Sequence, residues 1–364
     1  MADLFTPLTL RGTEVPNRVV VSPMCQYSCE DRDGIATEWH RVHLGSRAVG
    51  RAGIVMTEAT AVEPRGRISP EDLGIWSEEH ADALAPIASF ISGQGSVPGI
   101  QLAHAGRKAS TSRPWEGGEP LSHAEGGWDA IAPSALPYPG HDDPVEVHEM
   151  DRTDIEGVID AFEAAARRAL DAGFEVAEVH AAHGYLLHQF LSPVANGRGD
   201  DYGGSFENRA RLTVEVTQAV RSVWPEEKPV FVRISGTDWL PDRDSWTVSD
   251  SARLADLLSE AGADLIDVSS GGIHPDQEIP RIGPNYQVGL AEGVREGSES
   301  DVAIGAVGGI TAPEQADALI GNGRADLAIV GREFLRDPYF PIRAAEALGA
   351  TDRLQVPKQY ERGF

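Results

Sequence analysis

The sequence is short of lysine, cysteine and long apolar runs, and each shortage argues against a class of explanation. Lysine occurs only at Lys108, Lys228 and Lys358, and 31 basic residues face 57 acidic ones for a formal net charge of −26. Binding to nucleic acid draws on a basic stripe that matches the phosphates, so no nucleic-acid partner is expected. Cys25 and Cys29 are the only cysteines, too few for a secreted disulfide framework. The stretch CQYSC also lacks the second pair that a structural zinc site collects. No apolar stretch approaches the roughly 20 residues that cross a bilayer, and the start MADLFTPLTL shows no basic leader before an apolar run. The expectation is a cytoplasmic protein in a reducing compartment, with no membrane partner. The acid surplus suits a solvated surface in a salty cytoplasm, where screening weakens self-repulsion. A GC-rich coding bias explains scarce lysine but not the extra acids.

What is present is a rhythm. Short runs rich in Val and Ile recur at 17–24, 53–62, 98–104, 174–182, 229–235, 263–271, 301–310 and 326–334, and each reads as a strand. Between them lie amphipathic segments such as 154–173 and 205–224, with Asp154 and Ser205 as candidate helix caps. Near-continuous apolar strands alternating with helices imply a parallel sheet covered by helices. Eight such units predict a closed (β/α)8 TIM barrel, an α/β fold, as a single domain over residues 1–364. Two segments interrupt the rhythm, 105–150 after the third strand and 272–284 after the sixth. Loops after barrel strands build the active-site face, so both are expected to cap a pocket.

Unusual residues gather at the strand ends. Cys25 and Tyr27 follow the first strand, Glu58 and Ala59 sit at the second, and Gln101 and His104 at the third. His180, His183 and Tyr185 stand at the fourth, Arg233 near the end of the fifth, Ser269 to Gly272 at the sixth, Gly308 and Gly309 at the seventh, and Gly331 with Arg332 at the eighth. Glycines after the last two strands let backbone N–H groups approach a phosphate, or they merely make tight turns; Arg332 adds a phosphate partner. The run VAEVHAAHGYLLHQF offers three imidazoles, His180, His183 and His188, as metal ligands, hydrogen-bond donors or core residues. The spacing lacks the HExxH pattern of zinc peptidases and an obvious third ligand, and no metal is expected. In WHRVH (39–43), a helix after the first strand, the histidines read as core residues. DRDG (31–34) fails as a calcium loop because Cys29 and His40 stand where acids are needed.

The stretches SPMCQYS (22–28), EATAVEPRGRIS (58–69), IQLAHAGRKA (100–109), HAAHGYLLHQFLSPVANGRGDDYGGSFENRARL (180–212), VRIS (232–235), AVGGIT (306–311) and GREFLRDPYF (331–340) resemble the Old Yellow Enzyme family of flavin-dependent ene-reductases. The cysteine after SPM and the C-terminal QYERGF point to its bacterial NADPH dehydrogenase branch. The resemblance implies tightly bound FMN across the barrel mouth, with Ser22, Pro23, Met24, Cys25, Ala59, Gln101, Arg233, Gly308, Gly309, Gly331 and Arg332 as its contacts. A buried ion pair with a barrel carboxylate is the alternative for Arg233, ranked lower because that side chain leaves a strand for the pocket. His180 and His183 correspond to the pair that grips the carbonyl of an activated alkene, and Tyr185 to the proton donor. Cys25 corresponds to a thiol beside the flavin, Tyr27 to a residue closing over the substrate, and NADPH or NADH to the transient hydride donor. His188 falls outside the pattern and reads as structural. The tail 355–364 implies a homodimer or homotetramer with shared active sites, Arg362 entering a neighbouring pocket. Larger relatives with an iron–sulfur region do not fit two cysteines. A non-catalytic flavin-binding or salt-stress protein on the same barrel is the alternative of a different class.

Overall fold

The computed structural model describes residues 2–363 and closes eight parallel strands into a barrel. The strands are β1 (Val19–Val21), β2 (Ile54–Ala61), β3 (Val97–Ala103), β4 (Val176–Ala181), β5 (Val230–Ser235), β6 (Leu265–Ser269), β7 (Ala303–Val307) and β8 (Leu327–Val330). Each pairs with its neighbour in the chain, and β8 pairs back onto β1, which closes the ring. That is the predicted (β/α)8 topology. The surrounding helices are α1 (Glu38–Val49), α2 (Glu78–Gly93), α3 (Arg152–Asp171), the short α4 (Leu186–Leu191), α5 (Phe206–Val223), α6 (Val248–Glu260), α7 (Val288–Gly297), α8 (Pro313–Gly321), α9 (Arg332–Arg336) and α10 (Phe340–Ala347).

Local sequence explains the helix edges. In α3 the buried residues Ile155, Val158, Phe162, Ala165, Ala166 and Ala169 recur at three and four, which lays one stripe on the sheet. Its cap is Asp151, whose carboxylate accepts from the Asp154 backbone N–H; Asp154 returns the bond to Asp151 N–H from inside the first turn. The expected cap at Asp154 is therefore displaced by three residues, because an acid at either end of the capping box gives the same sequence signal. Ser205 does cap α5, accepting from Asn208 N–H.

Two features escaped the sequence reading. A hairpin of Leu8–Leu10 and Thr13–Val15 plugs the lower mouth, where Leu10 and Val15 pack with Val20, Ile54, Val97, Val176, Phe231, Leu265 and Leu327 of the barrel interior. Strands of three residues are too short to show a period of two. The insertion 105–150 carries short helical turns and a parallel pair, Ala130–Ala132 with Val147–Glu149.

The barrel interior changes character along its axis. Side chains alternate along β4, so Ala177, Val179 and Ala181 face the helices while Val176, Glu178 and His180 face inward. Above the apolar plug lies a polar layer of Gln101, Glu178, Arg233 and Asp267, all buried. Buried polar groups are costly unless partnered; here Gln101 donates to Glu178, and Arg233 faces Asp267 at 3.3 Å.

Candidate active site at the strand ends

The chain segment after β4 is the most constrained part of the strand-end face. His183 adopts the left-handed backbone region at φ +59 and Gly184 follows at φ +72. A Cβ on Gly184 would stand 2.1 Å from the Gly272 carbonyl oxygen, and one on Gly272 would stand 2.4 Å from that of His183, so only glycines let the ends of β4 and β6 meet. Lys108 Nζ donates to both carbonyls, His183 O at 2.9 Å and Gly272 O at 3.1 Å. It thus ties the loop after β3 to both strands. His188 supports the turn from below: Gly184 N–H donates to its Nδ1 at 2.8 Å, and its Nε2 stands 2.9 Å from Asp238 Oδ1. Asp238 in turn accepts from Ser192 Oγ and the Trp246 backbone, in a fully buried network.

This scaffold sets three rings together. His180 and His183 lie 5.2 Å apart between ring centroids and edge-on, and Tyr185 lies 5.2 Å from His180. Ala182 N–H donates to His180 Nδ1 at 3.4 Å, leaving Nε2 to carry the proton. His183 takes a backbone bond to Ser235 Oγ, and its Nε2 stands 2.7 Å from Ser269 Oγ. Burial, then the positive Arg233, holds both imidazoles well below their usual range, so both are neutral. Burial raises the Tyr185 phenol, and the Lys108 ammonium sits 4.9 Å over its ring. Burial also brings Lys108 down to about 8.

A cavity of about 450 Å³ opens beside them, lined by Met24, Arg233, Ser269, Gly308, Gly331 and Arg332 among others. Gly308 and Gly309 take φ +121 and +68, and a Cβ on Gly309 would stand 2.2 Å from the Gly283 carbonyl oxygen. Among the described residues Arg332 has no carboxylate partner. A second pocket of about 310 Å³ lies under the insertion and is lined by Tyr27, Ile68, Arg107, Lys108 and Tyr138 among others.

Residues 3–350 match the NADH:flavin oxidoreductase / NADH oxidase family. The chain belongs to this family. It is 48% identical over 361 residues to an NADPH dehydrogenase of Geobacillus sp. (strain WCH70), covering 99% of this chain and 98% of that one. An NADPH dehydrogenase of Bacillus subtilis (strain 168) is 45% identical over 362 residues, with 99% of each chain covered. Among solved structures, morphinone reductase in complex with tetrahydroNAD superposes with a TM-score of 0.77 at 28% identity, covering 98% of this chain and 93% of that one. The Old Yellow Enzyme resemblance therefore stands. Family membership makes the protein an NAD(P)H-dependent flavin oxidoreductase, with FMN as its flavin.

For a member of this family, the positions of the remaining expected residues are informative. Ser22 to Cys25 continue β1 towards the cavity, and Ala59 pairs with Gln101 across β2 and β3 after a bulge between Met56 and Ala59. Arg233 corrects the sequence reading, which ranked its ion pair lower: Nε stands 3.3 Å from Asp267 Oδ2 while the residue also lines the cavity. One guanidinium serves both because its nitrogens point in different directions. Burial and the nearby carboxyls of Asp72 and Glu58 raise the Cys25 thiol well above its usual range, so it is a thiol rather than a thiolate. Tyr27 sits at φ +49 with its ring edge-on to Trp115 at 5.7 Å. Arg362 lies in an exposed turn, Lys358–Gly363, and lines neither cavity of its own chain.

Lys108, Glu178, Asp238 and Asp267 do not stand out as site residues in the sequence, whereas Ser269 does as a strand-end residue. The signal was available only in part, as an acid at alternate positions of apolar strands, EVH and IDV, where a polar group must face the barrel interior. His40 in WHRVH does more than fill the core: its Nε2 lies 3.2 Å from Glu58 Oε1, and Glu58 Oε2 accepts the Gln26 N–H next to Tyr27 at 2.7 Å.

Proposed function

We propose that the protein reduces the C=C bond of α,β-unsaturated carbonyl compounds, with His180 and His183 gripping the carbonyl oxygen. The observation that carries this reading is the pair of neutral, edge-on imidazoles, His180 buried and His183 half-buried, beside the half-buried Tyr185. Uncharged imidazole N–H groups polarise a carbonyl without a counter-charge to desolvate, and they draw electron density from the β-carbon. The bound flavin supplies a hydride equivalent, drawn from NADPH or NADH. Tyr185, kept protonated by burial, gives its phenolic proton to the α-carbon, and the ammonium of Lys108 steadies the charge left behind. Tyr27 closes over the substrate from the second pocket.

The residues fit an FMN. The cavity volume falls within the ~300–1,000 Å³ usual for ligand sites. Gly308, Gly309, Gly331 and Arg332 line one end, where an unpaired guanidinium favours a phosphate. Ser22, Pro23, Met24 and Cys25 follow β1, Ala59 lies near the end of β2, and Gln101 and Arg233 present an amide and a fixed cation to the ring edge. Freshly purified protein should be yellow, bleach with NADPH under argon, and recover its colour on addition of 2-cyclohexen-1-one. Colourless protein that takes up no FMN would end this reading, and a bleached flavin that the enone never restores would favour flavin binding without catalysis.

The same reading makes the protein a cytoplasmic homodimer or homotetramer. Among the described residues no helix is long and apolar enough to cross a membrane. Arg362, exposed at the end of the chain, is available to enter a neighbour's pocket. Removal of residues 355–364 should raise KM for the enone severalfold and leave the melting temperature in place; unchanged kinetics would exclude shared sites.

A further inference from the structure

Beneath the cavity, four consecutive strands contribute one buried polar side chain each: Gln101 from β3, Glu178 from β4, Arg233 from β5 and Asp267 from β6. Gln101 Nε2 donates to Glu178 Oε1 at 2.8 Å. Arg233 Nη1 donates to Ser22 Oγ at 3.0 Å and its Nε faces Asp267 at 3.3 Å, while neither Asp267 oxygen receives a hydrogen bond of good geometry. The layer therefore holds two carboxyl groups and one cation, sealed below by the apolar plug. Other cations do not reach it: Lys108 is committed to two backbone carbonyls, and His180 and His183 are neutral. With both acids ionised the layer would carry a net negative charge. It would then disfavour negative charge on a flavin held in the cavity.

We propose that Glu178 is a positioning residue: held as the neutral acid, it anchors the Gln101 amide nitrogen so that the amide oxygen faces the flavin ring, and it leaves Arg233 and Asp267 as the only charges of the layer. The inference rests on the reading above that Gln101 and Arg233 face the edge of the flavin ring. Burial, followed by the charge of Asp267, pushes Glu178 up to about 8, against a smaller opposing pull from Arg233. Asp267 is raised by burial too, but Arg233 stands directly against it, so the proton belongs on Glu178.

The test begins with flavin-free, full-length protein at pH 6. The infrared spectrum of the wild type minus that of E178Q should contain a protonated carboxylic C=O band that shifts in D2O. In the holoenzyme E178Q should hold FMN with a Kd within threefold of wild type, and the ratio of its affinities for reduced and oxidised flavin should also stay within threefold, about 15 mV in midpoint potential. E178L, which cannot anchor the amide, should weaken FMN binding about tenfold, with glutamine restoring it. Absence of the band in the wild type, a potential raised beyond threefold in E178Q, or full FMN affinity in E178L would each overturn the proposal. If the protein took up no FMN, the flavin reading would fail, and the band in the flavin-free protein would still decide where the proton sits.

Discussion

Replacing both His180 and His183 with alanine should lower kcat/KM for 2-cyclohexen-1-one about a thousandfold, because each preorganised donor aimed at a developing oxyanion contributes roughly two to three orders of magnitude and a pair acts as one unit. The loss should fall on the oxidative half-reaction. Flavin reduced chemically with dithionite should be reoxidised by the enone at the residual rate, while the FMN content remains near stoichiometric. Both imidazoles are held well below their ordinary range. Imidazolium therefore forms only at pH values well under ~6.5, and the wild-type rate should show no acid limb from these rings above that value. Reoxidation of the double variant within threefold of wild type would remove the carbonyl grip from the account.

Arg233→Leu should have the largest effect on stability and flavin retention together. The substitution leaves two buried carboxyls without their cation and takes a donor from Ser22. Stranding a buried charge in this way costs about 3–5 kcal/mol. The sign of its pH dependence follows from the acids. Glu178 and Asp267 already stand above their usual values, and loss of the cation raises both further. A carboxyl raised in the fold costs stability once the pH exceeds its unfolded value near 4, and the cost grows until the folded value is reached. The variant should thus melt much lower than wild type at pH 8 and recover part of the difference at pH 6. It should also lose most of its FMN on gel filtration. An unchanged melting curve with full flavin content would show that the guanidinium carries neither burden.

These two substitutions also mark how far the sequence could be read. The alternation of apolar runs and amphipathic segments was legible along the whole chain, because strand and helix periods differ and eight repeats leave little room for another topology. The strand ends were legible as well. His180, His183, Tyr185 and Arg233 stand where apolar runs stop, and the barrel brings these sites to one face. Less visible were groups whose meaning depends on what lies across the barrel. Glu178 looks like any acid two residues before a histidine until Gln101 is placed 2.8 Å away. His188 reads as structural from the sequence, but its buried partner Asp238 lies 50 residues on, beyond any local pattern. His40 looked like a core residue on its own helix because Glu58 comes from the next strand.

The sequence by itself determined the barrel, its insertions, the surplus of acidic over basic residues and the identity of the strand-end residues, since these follow from composition, period and order along one dimension. Tertiary structure alone decided the protonation and aim of those residues. Neutral imidazoles, a phenol kept protonated, a lysine bridging two carbonyls and an arginine set against one of two buried acids all arise from desolvation and from contacts between distant segments. Both depend on the closed three-dimensional arrangement, and no local stretch of chain contains them.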